Sequence, residues 1–323
     1  MHVFRGFNHR TLAPRTALTI GNFDGVHRGH QAMLRHLIDV AGRRQLVPSL
    51  LTFEPHPRDF FATLNGLPDS APPHISTLRD KLCALREGGI EQVVVLRFDR
   101  RLAGLTAEEF ARRIVTQGLH AQYVLVGDDF RFGSRRSGDF ALLDAMGPAL
   151  GFVAEQMPPV TETGRRISSS SVREALQRGD METAQVLLGR PYAISGHVLH
   201  GAKLGRKLGF PTLNLAFDPA RPALAGVFVA RVHGLGNAPL QAVASLGTRP
   251  AVEVHGRMLL ETHVFDWDGD AYGKLVRVEL LHKLRDEAHF PDLDQLAAAI
   301  RTDAVRARAW FSQFARQTTR DRI

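Results

Sequence analysis

Two rhythms of apolar and polar positions divide the chain. Up to about residue 185, short β-branched runs alternate with amphipathic stretches: TALTIG at 16–21, LVPSLLTF at 46–53, EQVVVLRF at 91–98, QYVLVG at 122–127 and GFVAEQM at 151–157. That alternation predicts a parallel sheet covered on both faces by helices. After the first run, Met33, Leu34, Leu37, Ile38 and Ala41 share one face of a predicted helix. Thr106 and Glu109 form a capping box ahead of FARRI. Ser171 and Glu174 repeat the signature ahead of VREAL, with Gly179 as the left-handed cap that ends the helix.

From about residue 190 the period becomes two. YAISGHVLH, AGVFVARVHGL, LQAVASLG, MLLETHVFDW and KLVRVELLHKL are joined by Gly, Pro and Asp turns, which predicts an antiparallel β domain closed into a barrel. The last stretch returns to helical spacing through Leu293, Leu296, Ile300, Ala304 and Phe311, an amphipathic helix to pack on the barrel. The chain therefore reads as an α/β half with a parallel sheet, residues 1–186, and an antiparallel β-barrel half with a terminal helix, residues 187–323. The change falls at LLGRPY, 187–192.

At 323 residues and 44% hydrophobic, the chain has enough apolar material for two cores. Its net charge of +8 points to anionic partners, yet only five of the 41 basic residues are lysine and the arginines are scattered without a block of five like charges. No nucleic-acid partner is expected on that basis. The single cysteine, Cys83, rules out an internal disulfide and any cysteine-based zinc motif. No uncharged apolar run approaches the ~18 residues of a membrane span, and the N-terminal stretch lacks a signal-peptide core, so a cytoplasmic protein without a membrane partner is expected.

The first candidate chemistry is GNFDGVHRGH, 21–30, directly after the first predicted strand. His27 and His30 stand at a helix entry, where free backbone N–H groups and the macrodipole favour an anion, and their spacing puts both rings on one side. Gly25 and Gly29 remove side chains where backbone must approach a phosphate. Zinc would need a third ligand, which no HExxH or cysteine pair supplies. The place itself, the C-terminal end of the first strand of a parallel sheet, is where open α/β folds bind their ligands.

GNFDGVHRGH resembles the HxGH signature of nucleotidylyltransferases. Together with VGDDFRFGSRRSGD (126–139), RRISSSSVREAL (165–176), TFEPHP, FDRRLAGLTAEEF and LLGRPY, it is similar to the bacterial bifunctional riboflavin kinase/FMN adenylyltransferases, or FAD synthetases. The resemblance implies a Rossmann-like nucleotidylyltransferase domain. In it, Gly21, Asp24, Gly25, His27 and His30 would meet the ATP phosphates. Ser168, Ser169 and Ser170 would donate to phosphate, Arg166 and Arg173 would supply charged forks, Asp129 would orient the nucleotide, and Phe132 would pack on flavin or in the core.

In the second half, HGAKLGRKLGFPTLNL, 200–215, sets Gly201, Gly205 and Gly209 among Lys203, Arg206 and Lys207. The Gly-Lys-Ser/Thr ending of a Walker A loop is absent, so the segment reads as a phosphate cradle of another kind or a flexible hairpin. GFPTLNL resembles the PTAN motif of riboflavin kinases, which implies that Thr212 and Asn214 hold Mg²⁺ and nucleotide phosphate. The same resemblance makes Glu261, in LLETHVFDW, the base for the ribityl hydroxyl, and Arg285, in KLRDEAHF, a flavin or phosphate contact. Ser245 and Ala251, in SLGTRPA, depart from the Asn-Ile-Gly-x-Arg-Pro-Thr common in bacterial members and remove polar reach. The implied chemistry is riboflavin to FMN, then FMN to FAD with release of pyrophosphate, with ATP and Mg²⁺ serving both steps. Two rival readings remain at this level: an adenylyltransferase whose barrel only binds flavin, and a basic nucleic-acid-binding module.

Overall fold

The computed structural model describes residues 1–323 except 163, 202–203, 218–220, 249–257 and 321–323. The chain divides into two compact units: residues 1–72 with 81–168, and residues 73–80 with 169–323.

The first unit is built on β1 (His2–Arg5), β2 (Thr16–Ile20), β3 (Val47–Glu54), β4 (Gln92–Arg97), β5 (Ala121–Gly127) and β6 (Val153–Met157). They form one sheet in the order β1-β4-β3-β2-β5-β6, every pair parallel. Its helices are α1 (Arg28–Arg44), α2 (Pro57–Leu64), α3 (Leu78–Glu87), α4 (Arg100–Ala103), α5 (Ala107–Phe110) and α6 (Phe140–Leu150). Burial on both faces explains the near-continuous apolar runs: Ala17, Leu18, Leu50, Leu51, Val93, Val124 and Leu125 are all fully enclosed. The five predicted strands are all present. The capping box at Thr106 and Glu109 forms with both hydrogen bonds, 3.0 and 3.1 Å, and α5 runs on as a π-helix through Ala111–Gly118. β1 had no sequence signal, being a short edge strand of which only Phe4 is even partly buried. A two-stranded hairpin, β7 (Thr161–Glu162) and β8 (Arg165–Arg166), completes this unit.

The second unit opens with α7 (Ser169–Arg178) and α8 (Met181–Leu188). α7 starts two residues ahead of the predicted cap, so Ser171 lies inside its first turn, whereas Gly179 does end it at φ 71°. Val172, Ala175, Leu176, Met181, Ala184 and Leu188 join one core with the interior of the barrel, and Ile75 enters the same core. Segment 73–80 is pinned there by backbone bonds between His74 and both Arg221 and Ala223 and by the Arg173 Nε bond to the Pro73 carbonyl, 2.7 Å.

The barrel strands are β9 (Tyr192–His197), β10 (Leu213–Phe217), β11 (Gly226–His233), β12 (Leu240–Thr248), β13 (Met258–Val264) and β14 (Leu275–Arg285), with the short α9 (Leu204–Lys207) between β9 and β10. They pair antiparallel in the order β10-β13-β12-β11-β14-β9, and a bridge from Leu199 to Asn214 draws the two ends of the sheet together. Leu215, Phe228, Ala230, Leu246, Leu260 and Val278 fill the interior.

α10 (Leu293–Arg320) lies on the outer face, where Ala304, Ala307 and Phe311 pack against Val227, Val229, Val243 and Phe265. Leu293, which the periodicity put on the packed face, is 53% exposed. The helix is instead fixed by charge. Arg285 donates to Asp303 through Nε and Nη2, the shortest contact being 2.7 Å, and Arg308 forks onto Asp266 at 2.8 Å on each arm. Asp303 is nearly fully buried, so it depends on its one guanidinium. Asp303→Ala should strand Arg285 and loosen α10, costing about 3 kcal/mol in urea unfolding, with helical content lost first.

Candidate functional sites

The turn between β2 and α1 has a constrained backbone. Phe23, Gly25 and Val26 all take positive φ (49°, 81° and 41°), a region that side-chain-bearing residues seldom enter. The strain puts His27 at the N-cap of α1, where its Nδ1 accepts from the His30 amide at 3.3 Å. A neutral ring that accepts at Nδ1 carries its proton on Nε2, which makes that atom a donor. The two imidazoles stack with centroids 3.7 Å apart, and Phe23 packs on the other side of His30 at 4.7 Å. Burial, the neighbouring His27 and the Lys81 ammonium together push the His30 pKa well below its usual value, so this ring is neutral at physiological pH. His30 Nδ1 and Asn22 Oδ1 are buried without a hydrogen-bond partner among the described residues, which marks the turn as a place waiting for donors and acceptors from elsewhere.

Gly29 brings a second segment to this turn. A Cβ there would sit 3.1 Å from the His27 ring and 3.2 Å from the Ile167 carbonyl, so glycine lets residues 166–168 lie against the start of α1. Arg166 arrives with its guanidinium on Asp128, 2.7 Å away, and 3.9 Å from the largely exposed Asp129. Asp128, the first acid of VGDDF, is therefore the residue that holds Arg166, and the sequence reading had singled out only its neighbour. Asp24 is buried in the turn itself, Gly21 accommodates the Phe23 ring, and Ser168 is partly exposed. Ser169 and Ser170 open α7 and belong to the second unit, as does Arg173, which bonds Pro73. Phe132 packs between Phe110 and Phe130, its ring centroids 5.7 and 5.3 Å from theirs, and is 6% exposed.

Two further features lie near the same strand ends. His56 caps α2 through Nδ1, 3.1 Å from the Arg58 amide, repeating the role of His27 one strand over. Beyond it, Phe60 and Phe61 of α2 meet Phe98 at 5.4 and 5.8 Å, Phe53 joins edge-on, and Phe61 stays 44% exposed. An open aromatic surface beside a polar turn suits a flat, partly apolar ligand. The FF pair after EPHP was the available signal, but apolar pairs in amphipathic helices usually face the core.

In the second unit, register gathers the candidate residues. Asn214 on β10 lies opposite Glu261 on β13, and Glu261 lies opposite Ser245 on β12. Cross-strand partners share a face, so the three side chains form a row on the outside of the barrel, the face that also carries α10. Asn214 is buried, and its Oδ1 has no hydrogen-bond partner among the described residues. Gly201 makes room for it, since a Cβ there would overlap the Asn214 amide. The loop before β10 is wound tightly: the Phe210 amide bonds the Gly205 carbonyl at 2.7 Å, a Cβ on Gly205 would strike the Phe210 carbonyl, and Gly209 takes φ 84°. Thr212 is partly exposed at the loop's end. Lys203 and Ala251 lie outside the described residues. At the end of the row, the Glu287 carboxylate occupies the space that a Cβ on Gly247 would need. Arg285, read from sequence as a ligand contact, has its guanidinium on Asp303 and the Asp286 carbonyl. Among the described residues, no group of three or more His, Cys, Asp or Glu could hold a metal ion.

Comparison with known proteins matches both halves. The family model for FAD synthetase covers residues 9–171, and that for riboflavin kinase covers residues 188–311. The bifunctional riboflavin kinase/FMN adenylyltransferase of Escherichia coli K12 is 44% identical over 313 residues, 96% of this chain and 98% of that protein. The protein of the same description from Haemophilus influenzae is 40% identical over 97% of this chain and its own full length. A solved structure described as a macrolide-efflux protein from Streptococcus pneumoniae superposes with a TM-score of 0.75 at 29% identity, over 96% of this chain and all of that one. In this chain no helix among the described residues is long and apolar enough to cross a membrane.

His30 also sets a pH dependence. Its folded pKa is depressed while an unfolded histidine titrates near 6.5. The unfolded chain therefore binds the proton first as pH falls, and stability is full above about pH 6.5 and declines below it until the folded pKa is reached. In melting-temperature scans from pH 8 to pH 5, His30→Gln should show a shallower acid decline than the parent.

Proposed function

As a member of the bifunctional riboflavin kinase/FMN adenylyltransferase family, the chain phosphorylates riboflavin to FMN and adenylylates FMN to FAD, and we propose that the β2–α1 turn carries the second reaction and the Asn214–Glu261 row the first. The observation that carries this assignment is the pair of polar clusters with unsatisfied buried atoms: His30 Nδ1 and Asn22 Oδ1 in one unit, Asn214 Oδ1 in the other.

In adenylyl transfer, an oxygen of the FMN phosphate bonds to the α-phosphorus of ATP while the bond to the bridging oxygen breaks and pyrophosphate leaves. No covalent enzyme intermediate is needed, so the protein positions two polyanions and stabilises spreading charge. His27 serves as a neutral donor through Nε2, its other nitrogen being held by the His30 amide. His30 meets the phosphates as a second neutral group, and Gly21 and Gly25 keep the approach open. Asp24 braces the turn from its buried position. Arg166, steadied by Asp128 with Asp129 close by, and Ser168 supply further donors. The aromatic group of Phe60, Phe61 and Phe98 offers the isoalloxazine a surface.

For riboflavin phosphorylation, Glu261 takes the proton of the ribityl hydroxyl as its oxygen attacks the γ-phosphorus and ADP leaves, a contribution of roughly 10²–10⁴ in rate for a positioned base. The Gly201–Gly209 loop holds the phosphates through its backbone. Mg²⁺ suits the donor set: Asn214 Oδ1 is a hard oxygen, buried and unpartnered, and the Thr212 hydroxyl lies two residues away in the chain. When bound, the cation neutralises phosphate charge. Arg285 acts by anchoring α10 beside the row rather than by touching ligand. ATP as substrate and a single cysteine fit a cytoplasmic setting.

The test is to follow riboflavin, FMN and FAD over time with ATP and Mg²⁺. His27→Ala combined with His30→Ala should accumulate FMN and make no FAD. Glu261→Ala should leave riboflavin unconverted yet adenylylate supplied FMN. Loss of both steps in both variants would sink the two-site assignment. Gly201→Ala, which crowds Asn214, should lower riboflavin phosphorylation about tenfold or more through a raised Mg²⁺ requirement and spare FAD formation from FMN.

A further inference from the structure

We infer that Lys81 is a phosphate-binding residue of the adenylyl transfer site, seated so that its ammonium faces the pyrophosphate as it leaves. The inference rests on the assignment of that reaction to the β2–α1 turn.

Lys81 lies on α3 and is only 7% exposed. Toward the C-terminal end of α3, Leu85 is buried, and the following Gly88 and Gly89 leave no room for a Cβ against Leu34 and Ile38 of α1. The helices thus lie side by side, and one to two turns earlier on each, Lys81 comes level with His30. The Lys81 charge is felt at His30, where it helps lower the ring's pKa. Three carboxylates at the same end of the sheet act on the ammonium's charge: Asp24 in the β2–α1 turn, Glu54 at the end of β3 and Asp59 in the first turn of α2. Their fields oppose the lowering of its pKa that burial causes. No described residue forms a hydrogen bond or an ion pair with it.

An ammonium enclosed without a direct partner is an expensive arrangement for a fold that needs only packing at that position. It makes sense where the missing partner is a ligand anion. The buried His30 ring is neutral, so it brings no full positive charge to the leaving group. Lys81 supplies it from beside that pair. As the FMN oxygen bonds to the α-phosphorus and the electron pair of the breaking P–O bond goes to pyrophosphate, negative charge grows on the leaving group. A fixed ammonium stabilises that state more than the ground state, without transferring a proton.

Lys81→Met keeps the stem and removes the charge, and Lys81→Arg keeps the charge. Four readouts are compared with the parent: kcat and ATP KM for FAD formation from FMN, riboflavin phosphorylation by the same protein, and melting temperature. Lys81→Met should lower kcat for FAD formation about 10²-fold, as loss of a charge-stabilising donor does, with a much smaller change in ATP KM. Phosphorylation should be unchanged, the melting temperature equal or higher, and Lys81→Arg should recover part of the rate. FAD formation at the parental kcat in Lys81→Met overturns the inference, and so does a loss that tracks a falling melting temperature in both variants. The His27→Ala/His30→Ala double variant is run alongside. If it still makes FAD, the placement of the reaction fails; if it makes none while Lys81→Met is fully active, only the role of Lys81 fails.

Discussion

The hydrogen bond from the His30 amide to His27 Nδ1 organises the first unit's chemistry. It closes a turn that three left-handed positions, Phe23, Gly25 and Val26, have bent back on itself, and it starts the long helix α1 with a side-chain cap. It also decides where the His27 proton sits, because an imidazole that accepts at one nitrogen donates at the other. With the rings stacked and Phe23 behind them, the His27 ring cannot turn its Nδ1 to a metal without losing the cap. The zinc alternative that the bare spacing left open is thereby disfavoured by the helix start itself.

The second unit answers a similar demand by register. Asn214, Glu261 and Ser245 come from segments far apart in sequence and stand in one cross-strand row because antiparallel pairing puts opposite residues on the same face. The interior is filled by apolar side chains, so the proposed site falls on the outside, where the glycine loop on one side and α10 on the other can frame it. The Arg285–Asp303 pair then acts as a strut, and a conspicuous arginine of the C-terminal motif turns out to hold the helix. Ser245 stands next to Glu261 in this row.

Much of this was legible beforehand for identifiable reasons. Strands buried on both faces must be apolar throughout, so β2 to β5 announced themselves. The capping box at Thr106 is a local device whose two hydrogen bonds span three residues. Motifs such as GNFDGVHRGH and GFPTLNL carry their spacing within a few residues, and the places they occupy follow from the elements they adjoin. What was not legible depends on non-local contact. Phe132 and Phe61 are indistinguishable as residue types, yet the first is enclosed and the second open. Asp128 and Asp129 are neighbours, and only the approach of Arg166 selects between them. Lys81 gave no signal, because a lysine in an amphipathic helix ordinarily faces water.

The sequence by itself determined the two rhythms, the strand and helix types they impose, and the residue chemistry offered at each turn, since these follow from side-chain period and from bonds made within a few positions. Tertiary structure alone decided that residues 73–80 and 169–188 pack with the barrel unit, that α10 docks by Ala304, Ala307 and Phe311 and not by Leu293, and that a lysine fifty residues downstream stands beside His30. Those outcomes are fixed by which surfaces exclude water together and by charges that have no other partner. Neither quantity is defined until distant segments of the chain are brought into contact.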